Sequence, residues 1–324
     1  RGSIIAEAKK YKIAYAFIAP ATIGMMLLHL SPLVQGIYMS FLKLNQFTLF
    51  AYLKAPFVGL GNYQKILFDP TSPMRIGLLD AARNTFFYTI IVTLGGMALG
   101  MIVAMMLNRQ FKGRAIVRTL FIFPWIVPQF VVGLLWGFMW QQNNGIINVI
   151  LYDWLKINHI LQFFGIAVDA AKPFWLSGDP KTLFAIILPT IWRGWPFTML
   201  MLLAGLQGIS QDYYEAADID GANGWQKFWL ITFPLLKPVW AILMLFGLIF
   251  NVYSFNIVYM MFGSGAGYPG KWGDLMMVNI FRNAFQRYDF GTGAAVSVML
   301  MTIMISIVML WYRSYKNVES DRSS

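Results

Sequence analysis

The sequence predicts an all-α membrane protein of six transmembrane helices, and three observations predict it. Only 12% of the 324 residues are charged while 58% are hydrophobic, against roughly a quarter charged in soluble chains. Six apolar runs reach the ~20 residues that a helix needs to cross a ~30 Å hydrocarbon core. None of the runs alternates apolar with polar residues, which excludes the strands of a membrane barrel.

The runs are Ile13–Phe41, Thr85–Leu107, Ile116–Trp140, Leu183–Leu206, Val239–Phe262 and Gly291–Trp311. The first exceeds a signal-peptide core of about 7–15 residues, so it counts as a span, and the start Arg1-Gly2-Ser3 reads as a trimmed or engineered terminus. The six runs hold no Asp or Glu; apart from Arg118 at the edge of the third, their one formal charge is Arg193. Pro124 and Pro128 lie in the third run, and Pro189 and Pro196 in the fourth. Each removes a backbone hydrogen bond and bends its helix. Broken helices are tolerated at membrane depth only against protein or a water-filled cavity, so these positions are either packing kinks or the lining of a pathway.

Lysine and arginine in short loops set the orientation. Arg109, Lys112, Arg114 and Arg118 crowd the second loop; Arg1, Lys9, Lys10 and Lys12 precede the first span, and Arg313, Lys316 and Arg322 follow the last. These segments are placed in the cytoplasm, with both termini. The opposite side carries Leu42–Asn84, Gln141–Thr182 and Gly263–Phe290, where basic residues mix with Asp69, Asp80, Asp153, Asp169, Asp179, Asp274 and Asp289. The chain then divides into a cytoplasmic segment 1–12, a first span 13–41, an external (periplasmic) segment 42–84, a membrane core 85–312 and a cytoplasmic tail 313–324.

Composition excludes several functions. The net charge is +11, but Lys and Arg flank apolar runs rather than forming the basic stripe that nucleic acid needs. Absence of cysteine rules out disulfides, iron–sulfur clusters and thiolate zinc sites. His29 and His159 are far apart with no acid at ligand spacing, so no metal site is expected; His29 reads as a polar residue of the first span rather than a proton relay.

The loop 207–238 departs from the positive-inside trend. Asp212, Glu215, Asp218 and Asp220 oppose only Lys227 and Lys237. Asp212 followed by Glu215 suits a helix N-terminus, with Asp212 accepting from first-turn amides. Tyr213, Ala216, Ala217 and Ile219 continue a short amphipathic helix, and Gly221 supplies the permissive backbone of a turn. A second short helix carries Trp225, Phe228 and Trp229 before Pro234 leads into the fifth span. Helices lying on lipid favour Lys and Arg on the polar face; the acids here favour docking into a groove on another protein.

At these residues the chain resembles permease subunits of binding-protein-dependent ABC importers. Their loop reads Glu-Ala-Ala, three residues, Gly, nine residues, Ile, one residue, Leu, Pro; here Glu215-Ala216-Ala217, Gly221, Ile231 and Pro234 fall in register, with Phe233 in place of Leu. The resemblance implies a type I importer permease fold whose short cytoplasmic coupling helices insert into a cleft on an ATPase subunit. Glu215, Ala216, Ala217 and Gly221, with Asp212 and Asp218 beside them, would then carry that contact, although Glu215 also has the plainer reading of a helix cap. Phe57-Val58-Gly59-Leu60-Gly61-Asn62-Tyr63, Phe68-Asp69-Pro70, Asn84-Thr85-Phe86-Phe87-Tyr88-Thr89, Ile191-Trp192-Arg193-Gly194-Trp195-Pro196-Phe197 and Phe250 through Pro269 are similar to the carbohydrate branch of the family. Within that branch the chain is similar to the larger permease of importers of the acidic polysaccharide alginate. The resemblance implies a bacterial inner-membrane location, a second homologous permease, two ATPase subunits that bind ATP and magnesium, a periplasmic binding protein and an oligosaccharide substrate. It implies no cofactor and no catalysis in this chain.

Gly265-Ala266-Gly267-Tyr268-Pro269-Gly270-Lys271 imitates a phosphate loop, but Trp272 stands where Ser or Thr should meet magnesium, so it reads as an external turn. For substrate, the fifth span offers Asn251, Tyr253, Ser254 and Asn256, with Asn251 and Ser254 on one helical face. Polar groups at this depth face a cavity or bond a neighbouring helix, and both readings stand. Trp192 and Arg193 join them from the fourth span; Arg193 pairs with carbonyls, reaches for an interface or attracts an anionic sugar. A different solute, such as an amino acid or phosphate, is the alternative cargo. An ion-coupled transporter would require intramembrane carboxylates, and the spans have none.

Overall fold

The computed structural model describes residues 11–164, 171–263, 267 and 269–323. Arg1, Gly2, Ser3, Lys9, Lys10, Asp169, Gly265, Ala266 and Tyr268, named above, lie outside them. Among the described residues the chain is helical, with a single isolated antiparallel bridge between Leu42 and Phe57. Four helices are long and apolar enough to cross a membrane: α1 (Lys12–Met39), α2 (Pro73–Asn108), α5 (Pro180–Gln207) and the Phe290–Arg313 stretch of α10 (Phe290–Ser323). Two bent pairs also qualify: α3 (Arg114–Ile126) with α4 (Gln129–Met139), bent by 89°, and α7 (Gly224–Leu235) with α8 (Lys237–Val252), bent by 69°. Counting each pair as one span gives six, the number predicted.

The differences from the expected boundaries have local causes. The helix carrying the second run begins at Pro73 rather than Thr85, because Pro suits a first helical turn; it takes up the end of the segment 42–84 read as external. The expected tail 313–324 continues α10 to Ser323. In the third run the break falls at Val127, extended at ψ 127 with Pro128 next; the ring of a proline excludes the α region for the residue before it. Pro124 stays inside α3, and α5 runs without interruption through Pro189 and Pro196. The fifth run is not one helix: α8 ends at Val252, and α9 (Asn256–Met261) restarts after Tyr253–Phe255. Asn, Val, Tyr, Ser and Phe around that break are all weaker helix formers than Leu or Ala.

The chain separates into two compact units, Arg1–Ile76 with Ile280–Ile303 and Gly77–Asn279 with Met304–Ser324. In the first, the strand-like crossing after α1 is locked by Lys43 N–H to Pro56 O at 2.9 Å and Val58 N–H to Phe41 O at 2.8 Å. Buried Asn62 donates its amide to both Ser40 O (2.9 Å) and Leu42 O (2.8 Å), and Gly291 N–H reaches Leu44 O at 3.1 Å. Asn62→Ala strips two buried carbonyls of their donor and is expected to cost about 2–4 kcal/mol. A lowered thermal midpoint in detergent checks it; an unchanged midpoint would show that water replaces the amide.

The second unit is held by two apolar clusters. One packs Tyr88 of α2, Val132 and Trp136 of α4, Ile186 of α5 and Val258 of α9, with Trp140 donating Nε1–H to Ala185 O at 3.0 Å. The other joins Met101 and Leu107 of α2, Met199 and Leu206 of α5, Leu236, and Leu243 of α8. Small residues allow the close approaches, as between membrane helices generally: a Cβ at Gly100 would lie 2.9 Å from Met199 N, and one at Gly137 3.1 Å from Met261 O. At the other end of α2, buried Asn84 donates to Lys271 O (2.8 Å) and Asp274 O (3.0 Å), while Thr85 Oγ1 accepts from Met276 N–H at 2.9 Å.

Candidate functional site

Two places concentrate polar groups that the apolar framework does not need. The first is the segment between α5 and α8. It opens with α6 (Gln211–Ile219), whose N-cap is Ser210: its hydroxyl accepts from Asp212 N–H at 3.3 Å. Asp212 is therefore not the cap, as the sequence suggested, but a first-turn carboxylate at the positive end of the helix dipole. Asp212, Glu215, Ala216 and Ile219 are exposed at spacings that share one helical face, Ile219 at 88%. Ala217 is half-buried on the other side, where Tyr214 OH meets Thr232 Oγ1 at 2.9 Å.

The helix ends in a Schellman motif. Ala222 N–H bonds Ala217 O at 2.9 Å and Gly221 N–H bonds Asp218 O at 3.1 Å, with Gly221 in the left-handed region at φ +76. That conformation, not lack of space, requires the glycine, since nothing lies within 4 Å of a Cβ placed there. The next helix starts at once on a capping box, Gln226 N–H to Asn223 Oδ1 (3.0 Å) and Asn223 N–H to Gln226 Oε1 (2.8 Å). Asp218 is partly spent on an ion pair with Lys227 at 2.6 Å. The exposed face of this short helix, capped at both ends, thus carries two acids, an alanine and an isoleucine.

The second place is a cavity of about 570 Å³ lined from α2, α3, α4, α5, α8, the α8–α9 break and α9. Of the residues predicted to form a pathway, Arg193, Asn251, Tyr253 and Ser254 line it. Trp192 does not: it packs against the core with its ring 6.0 Å from that of Trp136. Asn256 is also outside the lining, and donates to the lining residue Gln129 at 3.1 Å. Asn251 and Ser254 do not share a helical face, because α8 ends between them. They converge on the cavity through the break instead.

The polar wall has a fixed direction. Thr190 donates its hydroxyl proton to Ile186 O at 3.0 Å, so it accepts from Tyr88 OH at 2.9 Å. Tyr88, having given its proton, accepts from Ser254 at 2.8 Å. Asn251 Nδ2 donates to Thr93 Oγ1 at 3.0 Å. Half-buried Arg193 donates Nε–H to Val127 O at 3.1 Å, the carbonyl freed by the break between α3 and α4. Tyr88, Thr93, Gln129 and Thr190 were not singled out from sequence, although the signal was present: each is polar in an otherwise apolar run. Among the described residues no three His, Cys, Asp or Glu side chains gather as metal ligands.

With that geometry in place, comparison with known proteins is informative. The model of the family described as binding-protein-dependent transport system inner membrane component matches residues 96–323. The inner membrane ABC transporter permease protein YcjO of Escherichia coli is 32% identical over 297 residues, covering 92% of each chain. The trehalose/maltose transport system permease protein MalF of Thermococcus litoralis is 30% identical over 313 residues, 94% of each. A chain of a bacterial alginate ABC transporter, solved in complex with an alginate pentasaccharide-bound periplasmic protein, superposes with a TM-score of 0.74 at 19% identity, covering 97% of this chain and 98% of that one.

Proposed function

We infer the function from one premise: the chain belongs to the family of binding-protein-dependent transport system inner membrane components. It is a multi-pass inner-membrane permease subunit of an ABC importer, and its cargo is an oligosaccharide. The observation that carries this reading is a sugar-permease relative aligned along 94% of both chains, over a fold with six spans.

The finer assignments are proposals. α6 is the coupling helix, and its exposed Asp212, Glu215, Ala216 and Ile219 face contacts an ATPase subunit; ATP and magnesium belong to two such subunits. A second homologous permease supplies the other half of the pathway, and a periplasmic binding protein delivers the saccharide. Arg109, Lys112, Arg114 and Arg118 support a cytoplasmic side for the loop after α2; with six spans, α6 and both termini share that side. The cavity with Asn251, Tyr253 and Ser254 is the substrate position in this half. ATP binding closes the ATPase pair, α6 carries that motion, and the spans turn the cavity outward. Ion-coupled transport is disfavoured by the absence of Asp and Glu from the six apolar runs.

The test is affinity purification of this chain co-expressed with the ATPase encoded beside it, as wild type and as Glu215→Lys. The ATPase should copurify with the wild type and be lost with the variant, which puts a cation where a carboxylate meets the groove. An ATPase retained equally by both would remove α6 from the interface, and none with either would remove the importer reading.

A further inference from the structure

The start of α3 holds cations that orientation alone does not explain. Arg109 and Lys112 of the preceding loop are exposed, and their charge serves the positive-inside rule from water. Arg114 and Arg118 are only partly exposed, and the Nε–H of each is shielded from solvent. No described residue accepts a hydrogen bond from either side chain or forms an ion pair with it. Shielded polar groups ordinarily have a partner. The helix adds to the cost: Arg114 stands in the first turn of α3, at the positive end of its dipole, and no acid shares that turn.

Four residues apart, Arg114 and Arg118 share one helical face with Phe121 and Trp125. That face turns to α5: the rings of Phe121 and Trp195 are 5.5 Å apart, and those of Trp125 and Phe197 are 5.9 Å apart. The arginines therefore stand at the mouth of the seam between α3 and α5. Side chains on a helix lean toward its N-terminus, here toward the loop. The reverse face of the same helix exposes Ile116, Leu120 and Phe123, a surface suited to acyl chains. Apolar exposure on one face and cations on the other, at the end of a span, set this level at the boundary between hydrocarbon and headgroups. A basic pocket between spans at that level suits an anionic headgroup. Two guanidinium forks one helical turn apart suit a phosphate, whose oxygens can accept from both.

We propose that Arg114 and Arg118 form a binding site for the phosphate of an anionic phospholipid at the α3–α5 seam. Inorganic phosphate offers the same oxygens but no acyl chains to cover the exposed apolar face of α3. A carboxylate arriving on another subunit would meet exposed Arg109 and Lys112 first. The site shares no residue with the cavity or with the exposed face of α6. It requires only that the chain spans a membrane, whatever the cargo.

The experiment is native mass spectrometry of the full chain in a neutral detergent, offered equimolar phosphatidylglycerol and phosphatidylcholine with the same acyl chains. The readout is the ratio of the two lipids retained on folded protein, so a smaller folded fraction in a variant cancels. The wild type should favour phosphatidylglycerol by about tenfold, and an excess of inorganic phosphate should not displace it. Arg114→Gln combined with Arg118→Gln should bring the ratio close to unity. Arg109→Gln combined with Lys112→Gln removes the same charge from exposed side chains and should leave most of the preference. No preference in the wild type, or an equal loss in the two double variants, overturns the proposal and leaves the arginines as orientation signals. Displacement by inorganic phosphate overturns the lipid as the source of the anion. A wild type without preference, whose Arg114→Gln and Arg118→Gln variant also loses a copurifying ATPase, assigns the arginines to a partner's carboxylate instead.

Discussion

Gly133→Leu should leave little assembled protein. α4 lies so close to α9 that a Cβ at Gly133 collides with the Ile257 carbonyl oxygen and stands 2.8 Å from Met260 Cβ. One obstacle is backbone, which cannot rotate away, so relief requires α4 and α9 to separate. That separation opens the cluster of Val132, Trp136, Ile257 and Val258. Overpacking a well-filled interior costs about 1–3 kcal/mol where side chains can yield, and here the cost lies at or above the top of that range. The measurement is thermal unfolding in detergent together with the yield of monodisperse protein. Gly96→Ala is the matched control, since Gly96 has nothing within 4 Å of its Cβ position and Ala favours a helix. A Gly133→Leu midpoint equal to that of the control would mean that α4 and α9 do not pack this way in the bilayer.

The second large effect is on transport rather than stability. Gly221→Val puts a β-branched residue at φ +76, where a side chain costs about 1–2 kcal/mol even without branching. The chain escapes by leaving the left-handed region, which dissolves the Schellman bonds to Ala217 and Asp218 and turns α7 away from α6. Uptake by the reconstituted transporter should fall to background, while the thermal midpoint of the spans stays near that of the wild type because α6 is outside both apolar clusters. Gly221→Asn should keep much of the uptake, since asparagine tolerates the same conformation. If Gly221→Val transports normally, the geometry of the turn is irrelevant to coupling. If Gly221→Asn fails as badly as Val, the loss of glycine matters through contact with a partner rather than through the backbone.

What could be read from the sequence depended on whether the cause was local. The six spans followed from run length and composition alone. The break at Val127 was legible because Pro128 restricts its own neighbour, and Gly221 was legible because few residues other than glycine occupy a left-handed cap. The break at Tyr253 carried no proline or glycine. Pro189 and Pro196 gave the same local signal as Pro128, yet α5 continues through them. The choice between Ser210 and Asp212 as N-cap was poorly determined, since both are good acceptors two residues apart and only the backbone, extended at Ser210 with ψ 140, separates them. The cavity was half legible. Arg193, Asn251, Tyr253 and Ser254 stood out as polar or charged, but Tyr88 and Thr190 matter through bonds spanning more than a hundred residues of chain. Trp192 illustrates the converse error, an aromatic next to a lining residue whose own ring turns into the core.

The corner between α3 and α4 also bears on the lipid. Its arms hold 13 and 11 residues, or about 20 and 17 Å of helix at ~1.5 Å per residue. Laid straight they would exceed a ~30 Å hydrocarbon layer, and the 89° corner shortens that reach. The span therefore reaches less far across the bilayer than its apolar sequence would allow if straight. The shortfall is met where the bilayer thins or where neighbouring protein replaces acyl chains. Short-chain lipids match this element and long-chain lipids strain it, so acyl-chain length is itself a control on how readily the corner changes its angle.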